Sequence, residues 1–159
     1  TGVYYGLNSV TFNRSHMARA AMEGVTLGMN YGLNRMIELG IKPEEIRLTG
    51  GGSKNKAWRK IAADVFGAQV VCLEIDEGAA YGAALQAMWS YLNYVGERTN
   101  IQQITDRYVR VDEDTYASPE SSPVEAYREL QRIQNDISRS LRSAFRKHRK
   151  YLVSHVSGT

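Results

Sequence analysis

The chain has 159 residues, of which 43% are hydrophobic and 23% charged, as in an ordinary globular domain. No apolar run approaches the roughly 18 residues of a membrane span, and a formal net charge of +3 is too small by itself to indicate a nucleic-acid-binding protein. The single cysteine, Cys72, lies in an apolar segment, which favours a buried thiol in a reducing, cytoplasmic protein over a disulfide or a cysteine-based metal site.

The first 95 residues alternate between strand-like and helix-like segments. Residues 2–7 resemble a short strand, and apolar residues at helical spacing predict a helix over 15–39 that ends at Gly40. The same patterns predict further strands at 46–49 and 69–74 and further helices at 54–66 and 77–94. Ser53 and Asp76 are the expected N-caps of these two helices. We therefore expect an α/β domain whose three strands lie parallel in one sheet, joined by crossover helices.

Two of these helices contain many small residues. The predicted packed face of the helix at 77–94 consists of Ala80, Ala83, Ala84, Ala87, Met88 and Tyr91. In the helix at 15–39, Ala20, Gly24, Gly28 and Gly32 are spaced four apart. Each glycine inside a helix costs up to about 1 kcal/mol relative to alanine, so this stripe predicts a close neighbour. A strand is the favoured neighbour, and an interdomain cleft is the alternative.

The pattern weakens in the connecting segment 96–123, where 108–111 resembles a strand and 118–123 a turn. Residues 124–152 predict one long amphipathic helix, whose apolar side comprises Tyr127, Leu130, Ile133, Ile137, Leu141 and Phe145. Six of the 20 basic residues, and no acidic residue, lie within 137–151. We interpret them as a solvated helix face, with nucleic-acid binding as the weaker alternative.

The segment most indicative of function is a glycine-rich turn after the strand at 46–49. Ligands of α/β sheets bind at the carboxyl ends of strands, where glycines let the backbone approach a ligand and helix N–H groups attract anions. Such a turn is compatible with a nucleotide site formed by Gly50, Gly51, Gly52, Ser53 and Asn55. From local features alone an ordinary strand-to-helix turn is favoured, since the segment matches neither the P-loop nor the GxGxxG pattern.

Several segments in the same order resemble the FGGY family of carbohydrate kinases. They are residues 2–7 with 16–23, the turn 49–55, the helix 57–67 and the helix 77–84. The resemblance covers about residues 1–95. Among the subfamilies, residues 49–53 together with Trp58 and Arg59 look most like xylulose kinases.

This resemblance implies an actin-like ATPase fold, in which two ribonuclease H-like domains enclose a cleft. Residues 1–159 would form the C-terminal, nucleotide-binding domain, with an α/β core at 1–95. The implied reaction is ATP-dependent phosphorylation of a sugar, most simply D-xylulose to D-xylulose 5-phosphate. Another FGGY kinase, acting on ribulose, glycerol, gluconate or a signalling sugar, is one alternative. A non-catalytic actin-like binding module is another.

The resemblance also divides the active site between two domains. ATP would bind mainly here with Mg²⁺ on its phosphates, whereas the sugar and a general-base aspartate would belong to an N-terminal domain. The chain begins at Thr1, without a methionine, and shows no sugar-site or base motif. We therefore expect that domain to be missing, assign no catalytic residue or metal ligand, and expect the isolated chain to be inactive. We expect no nucleic-acid or membrane partner, and the sequence leaves a homodimer open.

Overall fold

The computed structural model describes residues 2–75 and 77–155. In chain order the elements are α1 (Arg14–Glu38), β1 (Glu45–Leu48), a 3₁₀ turn (Gly51–Lys54), α2 (Lys56–Phe66), β2 (Gln69–Leu73), α3 (Gly78–Tyr94), α4 (Ile101–Tyr108), β3 (Val111–Ala117) and α5 (Ser121–His155). The strands form one sheet in the order β1-β2-β3, in which β1 and β2 are parallel. The predicted α/β architecture is confirmed for β1, β2 and the helices around them, whereas the third strand of the sheet, β3, is not one of the three predicted strands and runs antiparallel to β2.

The ends of α1 and α2 follow local capping rules. Asn13 caps α1, where its side chain accepts a hydrogen bond from the backbone N–H of His16 at 3.1 Å. The chain leaves α1 through Gly40, whose φ of +96° is readily adopted only by glycine. Gly67 ends α2 in the same left-handed manner, with a φ of +63°. Both predicted glycine stops are therefore confirmed.

The predicted strand at residues 2–7 is wrong. Residues 2–10 are exposed and form no strand, and Gly6 has a φ of +76°, outside the extended region. A side-chain turn follows, in which the Asn8 carboxamide oxygen accepts hydrogen bonds from the backbone N–H groups of Val10 and Thr11. A strand needs a neighbour to accept its backbone hydrogen bonds, and no other strand of the described residues pairs with this segment.

Helix α2 is the centre of the core. One of its faces packs against α1 and α5 in a cluster of Leu27, Ile61, Val65 and Tyr127. Another face packs against the sheet in a cluster of Ala62, Ala63 and Val70, with Ile46, Leu48, Phe66 and Ala117 at its margin. Each fully buried aliphatic side chain contributes roughly 1.5–3 kcal/mol, and the second cluster holds β1 against α2 through Ile46 and Leu48.

Helix α5 confirms the predicted long helix, but only part of its predicted apolar side is packed. Tyr127 and Gln131, one turn apart, are buried, whereas Leu130 and Ile133 remain 42% and 41% exposed. The interface of α5 with α1 lies at Tyr127 and Gln131. There the Asn30 side chain of α1 donates a hydrogen bond to the Gln131 side chain at 3.0 Å. The basic residues within 137–151 are exposed, as predicted.

Helix α3 buries a different side from the one predicted. Leu85 is its buried residue, whereas the predicted alanines are exposed and Tyr91 is 64% exposed. The reason is α4, which the sequence did not predict and which lies beside α3. The Tyr81 hydroxyl donates a 2.6 Å hydrogen bond to the carbonyl of Tyr108 at the end of α4. The predicted N-cap Asp76 lies outside the described residues.

The glycine stripe of α1 has no strand beside it. A Cβ added to Gly24, Gly28 or Gly32 would meet no heavy atom of the described residues within 4 Å. The favoured strand neighbour is therefore wrong, because α1 faces α2 and α5 with other residues, Leu27 among them. The interdomain cleft stays a prediction. Across residues 2–75 and 77–155, no helix combines the length and apolar character that crossing a membrane requires.

Candidate functional site

The glycine-rich turn begins where β1 ends. Gly50 has a φ of +87° and a ψ of 177°, a backbone conformation that favours glycine. A 3₁₀ turn follows, closed by backbone hydrogen bonds from Ser53 N–H to the Gly50 carbonyl at 3.0 Å and from Asn55 N–H to the Gly52 carbonyl at 3.1 Å. The chain thus makes a compact loop at the carboxyl end of β1 before it enters α2.

Ser53 is not the N-cap of α2, contrary to the sequence prediction. Its side chain is buried, with the residue only 4% exposed, and its hydroxyl donates a 2.6 Å hydrogen bond to the Gly50 carbonyl. Asn55 caps α2 instead, because its Oδ1 accepts from the backbone N–H of Trp58 at 3.1 Å. The glycines allow a 3₁₀ turn before the helix, which moves the helix start beyond Ser53.

The inner side of the turn rests on the buried Cys72 and on the half-buried Trp58 and Arg59. The Arg59 guanidinium donates from Nη1 to the Ser53 carbonyl at 2.8 Å, and the Cys72 thiol lies 3.4 Å from the same oxygen. The indole ring of Trp58 lies against Gly52, where an added Cβ would be 2.9 Å from ring atom Cζ3. The turn is therefore fixed from below by α2 and β2.

The outer side of the turn is open. A Cβ added to Gly50 or Gly51 would meet no described heavy atom within 4 Å, and Gly51 does not have a left-handed φ. Beside the turn, Thr49 packs against the first residue of α3, since a Cβ on Gly78 would lie 3.4 Å from Thr49 Cγ2. The turn and the amino end of α3 therefore form one continuous surface at the carboxyl edge of β1 and β2.

The five predicted site residues divide into two groups. Gly50, Gly51 and Asn55 are exposed, whereas Gly52 is half-buried against Trp58 and Ser53 is buried. The cap uses Oδ1 of Asn55, and an amide side chain has two further N–H donors on Nδ2. The surface thus offers glycine backbone and one amide for contact with a flat polar ligand.

Two other features bear on ligand binding. Among residues 2–75 and 77–155, no group of three or more His, Cys, Asp or Glu side chains is placed to hold a metal ion. A shallow cleft of about 600 Å³ lies along β3 and the ends of β1 and β2, lined mainly by charged side chains of both signs, and it includes none of the predicted site residues. Neither feature competes with the turn as the candidate site.

Thr26, Trp58 and Arg59 all support the turn, a role that no local sequence pattern indicates. Trp58 and Arg59 stand out in the sequence only through the resemblance to xylulose kinases, and nothing local to Thr26 connects it with a turn some 25 residues later. The Nε1–H of Trp58 donates to the Thr26 hydroxyl at 2.9 Å, a contact between α2 and α1 that only the folded chain brings about.

Comparisons with known proteins show the family of the chain. Residues 1–91 match the FGGY family of carbohydrate kinases, C-terminal domain. A xylulose kinase of Haemophilus influenzae is 41% identical over 122 residues, which are 77% of this chain and 24% of that protein. A xylulose kinase of Bacillus subtilis is 29% identical over 141 residues, 87% of this chain and 27% of that protein. The chain thus spans about a quarter of the length of these relatives.

Solved structures show the same fold. The xylulose kinase from Rhodospirillum rubrum superposes with a TM-score of 0.73 at 27% identity, over 92% of this chain and 28% of that one. The gluconate kinase from Lactobacillus acidophilus superposes with a TM-score of 0.77 at 21% identity, over the same shares of the two chains. These superpositions confirm the actin-like ATPase fold expected from the sequence.

Proposed function

Because the chain belongs to the FGGY family of carbohydrate kinases, we propose that it supplies the ATP-binding part of a sugar kinase. The observation that carries this proposal is the turn at residues 50–55, open on its outer side and rigidly supported beneath. It lies at the carboxyl edge of parallel strands, where α/β sheets bind nucleotides.

The surface of the turn fits the adenosine part of ATP. Gly50 and Gly51 present bare backbone, which leaves room for a flat base or a ribose, and Nδ2 of Asn55 can orient either of them. The phosphates would extend towards the amino end of α3, whose first N–H groups have no partner within the helix. Mg²⁺ would be bound with the phosphates, whose oxygens are the ligands that this ion prefers.

The sugar and the general base belong to a part of the active site that lies outside this chain. Phosphoryl transfer depends on positioning the acceptor hydroxyl in line with the γ-phosphate and on a residue that orients or deprotonates it. The chain spans about a quarter of its relatives, and an N-terminal domain of a longer protein would supply these groups. That longer protein is called the full-length protein below, and we propose that it acts in the cytoplasm.

D-xylulose is the proposed sugar, with D-xylulose 5-phosphate as the product. The support is that the relatives from Haemophilus influenzae and Bacillus subtilis are both named xylulose kinase. An L-fuculokinase of Escherichia coli is also 39% identical over 83 residues, half of this chain. Relatives named for different sugars thus match this chain, and another FGGY sugar is the alternative.

The nucleotide site is tested by a steric series at Gly51 in the full-length protein. Gly51→Ala adds one methyl group, whereas Gly51→Leu fills the space in which the base or ribose would lie. We expect Gly51→Leu to weaken ATP binding at least about tenfold, measured by calorimetry, and Gly51→Ala to weaken it less. Unchanged ATP affinity in Gly51→Leu would place the site elsewhere.

The sugar is tested separately by ATP-dependent turnover of the full-length protein with a panel of sugars. We expect the highest kcat/KM with D-xylulose. A higher kcat/KM with another sugar would reject D-xylulose as substrate and leave the kinase assignment intact. No turnover with any sugar, in a protein that binds ATP, would contradict the kinase assignment itself.

A further inference from the structure

Trp58 is held at three points. Its backbone N–H donates to Oδ1 of Asn55 at 3.1 Å, its indole Nε1–H donates to the Thr26 hydroxyl at 2.9 Å, and its ring lies against Gly52. Each contact fixes a different part of the residue: the main chain, the edge of the indole and its six-membered ring. The orientation of the indole plane is therefore set by Thr26.

Thr26 is suited to this role because its hydroxyl proton already forms a hydrogen bond with another group. The residue is 1% exposed, and its hydroxyl donates a 2.7 Å hydrogen bond to the carbonyl of Met22 within α1. The hydroxyl oxygen can then only accept, and the donor that it accepts from is Trp58. A buried, directional hydrogen bond of this kind holds the ring at a defined distance and angle from α1.

The turn needs such a support because three consecutive glycines give it little rigidity of its own. Hydrogen bonds to the carbonyl oxygens of Gly50 and Ser53 fix its two ends. The middle of the turn, at Gly52, rests on the Trp58 ring, where an added Cβ would be 2.9 Å from Cζ3 and 3.0 Å from Cε3. Displacing the ring would free the central glycine and the neighbouring Gly51.

We propose that Trp58, oriented by Thr26, is a positioning residue that holds the backbone of the turn in the conformation that receives ATP. The inference rests on the proposed nucleotide site. Neither side chain needs to touch the nucleotide, since both act by lowering the cost of ordering the turn when ATP binds. Helix α1 thereby becomes part of the ATP site, although it lies behind the turn.

The experiment compares Thr26→Val with Thr26→Ser in the full-length protein. Valine has nearly the shape of threonine but cannot accept the indole hydrogen bond, whereas serine keeps the hydroxyl. We expect Thr26→Val to raise the Kd and KM for ATP about three- to tenfold, with kcat and the sugar KM unchanged. Thr26→Ser should bind ATP within about twofold of the unmodified protein.

A second pair tests whether the effect passes through the indole. Trp58→Phe removes the same hydrogen bond from the other side, so adding Thr26→Val to it should weaken ATP binding no further. Ile61→Val is the control for general destabilisation. Ile61 is a core residue of α2 one turn after Trp58, so this change should lower Tm while leaving ATP affinity unchanged.

The outcomes separate this inference from the proposed function. Equal ATP affinity in Thr26→Val, Thr26→Ser and the unmodified protein would overturn the positioning role and leave the ATP site intact. Ile61→Val weakening ATP binding as much as Thr26→Val would also overturn it, because general destabilisation would then suffice. If the unmodified full-length protein bound no ATP, the proposed function and this inference would both fail.

Discussion

The indole ring of Trp58 lies directly beneath Gly52, and a methyl group added to that glycine would lie 2.9 Å from Cζ3 of the ring. Real Cβ atoms are essentially never found so close to another heavy atom, so either the ring or the turn would have to move. The ring cannot shift freely, because its Nε1–H is hydrogen-bonded to Thr26 at 2.9 Å.

Gly52→Ala should therefore destabilise the protein by about 1–3 kcal/mol, as overpacking of a well-packed site does. Urea unfolding followed by tryptophan fluorescence measures the loss. Gly51→Ala is the matched control, because a Cβ there meets no described heavy atom within 4 Å and its φ is not left-handed. Equal unfolding midpoints for the two variants would contradict the close contact with the ring.

Asn55 has two roles that can be separated by substitution. Asn55→Ala removes the N-cap of α2, which should cost about 1 kcal/mol of stability, and also removes the proposed Nδ2 contact to ATP. Asn55→Asp keeps an oxygen that can cap the helix but has no N–H donor. We expect Asn55→Asp to retain stability and Asn55→Ala to lose it in thermal unfolding.

The loss of Nδ2 should weaken ATP binding in both variants by one net hydrogen bond, about 0.5–1.5 kcal/mol. Calorimetric titration of the full-length protein measures this. If both variants bound ATP as tightly as the unmodified protein, Asn55 would be a capping residue and not a ligand contact.

Tyr127 should make stability fall at high pH. Burial, and then its hydrogen bond with Glu23, raise the pKa of Tyr127 to about 12 from an ordinary value near 10. The folded state thus favours the neutral phenol. The stability that Tyr127 adds to the fold is fully present below pH about 10 and is lost as the pH rises towards about 12. It amounts to at most about 2–3 kcal/mol.

Unfolding midpoints of the unmodified protein and Tyr127→Phe between pH 9 and 11.5 provide the measurement. The other tyrosines are common to both proteins, so the difference between the two isolates Tyr127. We expect the advantage of the unmodified protein to shrink across this range. A constant difference would show that the hydroxyl does not titrate in this way.

The chain by itself should not phosphorylate a sugar at the rate of an ordinary kinase. It spans about a quarter of its relatives, and the proposed sugar site and general base lie outside it. Without the N-terminal domain on the other side of the cleft, nothing positions the acceptor hydroxyl and nothing excludes water from the γ-phosphate. ADP release by the purified chain, with ATP, Mg²⁺ and D-xylulose, is the assay, and turnover at ordinary kinase rates would refute this expectation.

Much of the fold could be predicted because its signals are local. Apolar spacing predicts α1, α2 and α3, and Gly40 and Gly67 mark two helix ends through backbone conformations that favour glycine. Local sequence could not decide whether residues 2–7 form a strand, because a strand forms only when another strand pairs with it. Helix α4 was overlooked although Asn100 and Gln103 form a capping box, a pattern that the sequence shows.

The site was predictable in outline but not in detail. The glycines at 50–52 predict a turn, because glycine readily adopts the backbone conformations that a tight turn requires. Whether Ser53 or Asn55 caps the next helix depends on a 3₁₀ turn, which short-range patterns do not specify. The supports Trp58 and Thr26 are 32 residues apart in sequence, and packing brings them together.

Strand β1 occupies one edge of the sheet, paired through β2 alone among the described residues. An edge strand presents a row of unpaired backbone N–H and C=O groups, to which a strand of another molecule can add. The far edge carries the charged run at 112–114, which discourages such addition, whereas Glu45 and Arg47 on β1 neutralise each other in a 2.9 Å ion pair. The chain prepared by itself should therefore aggregate through β1 as its concentration rises, and substituting a lysine for Glu45 should slow that aggregation.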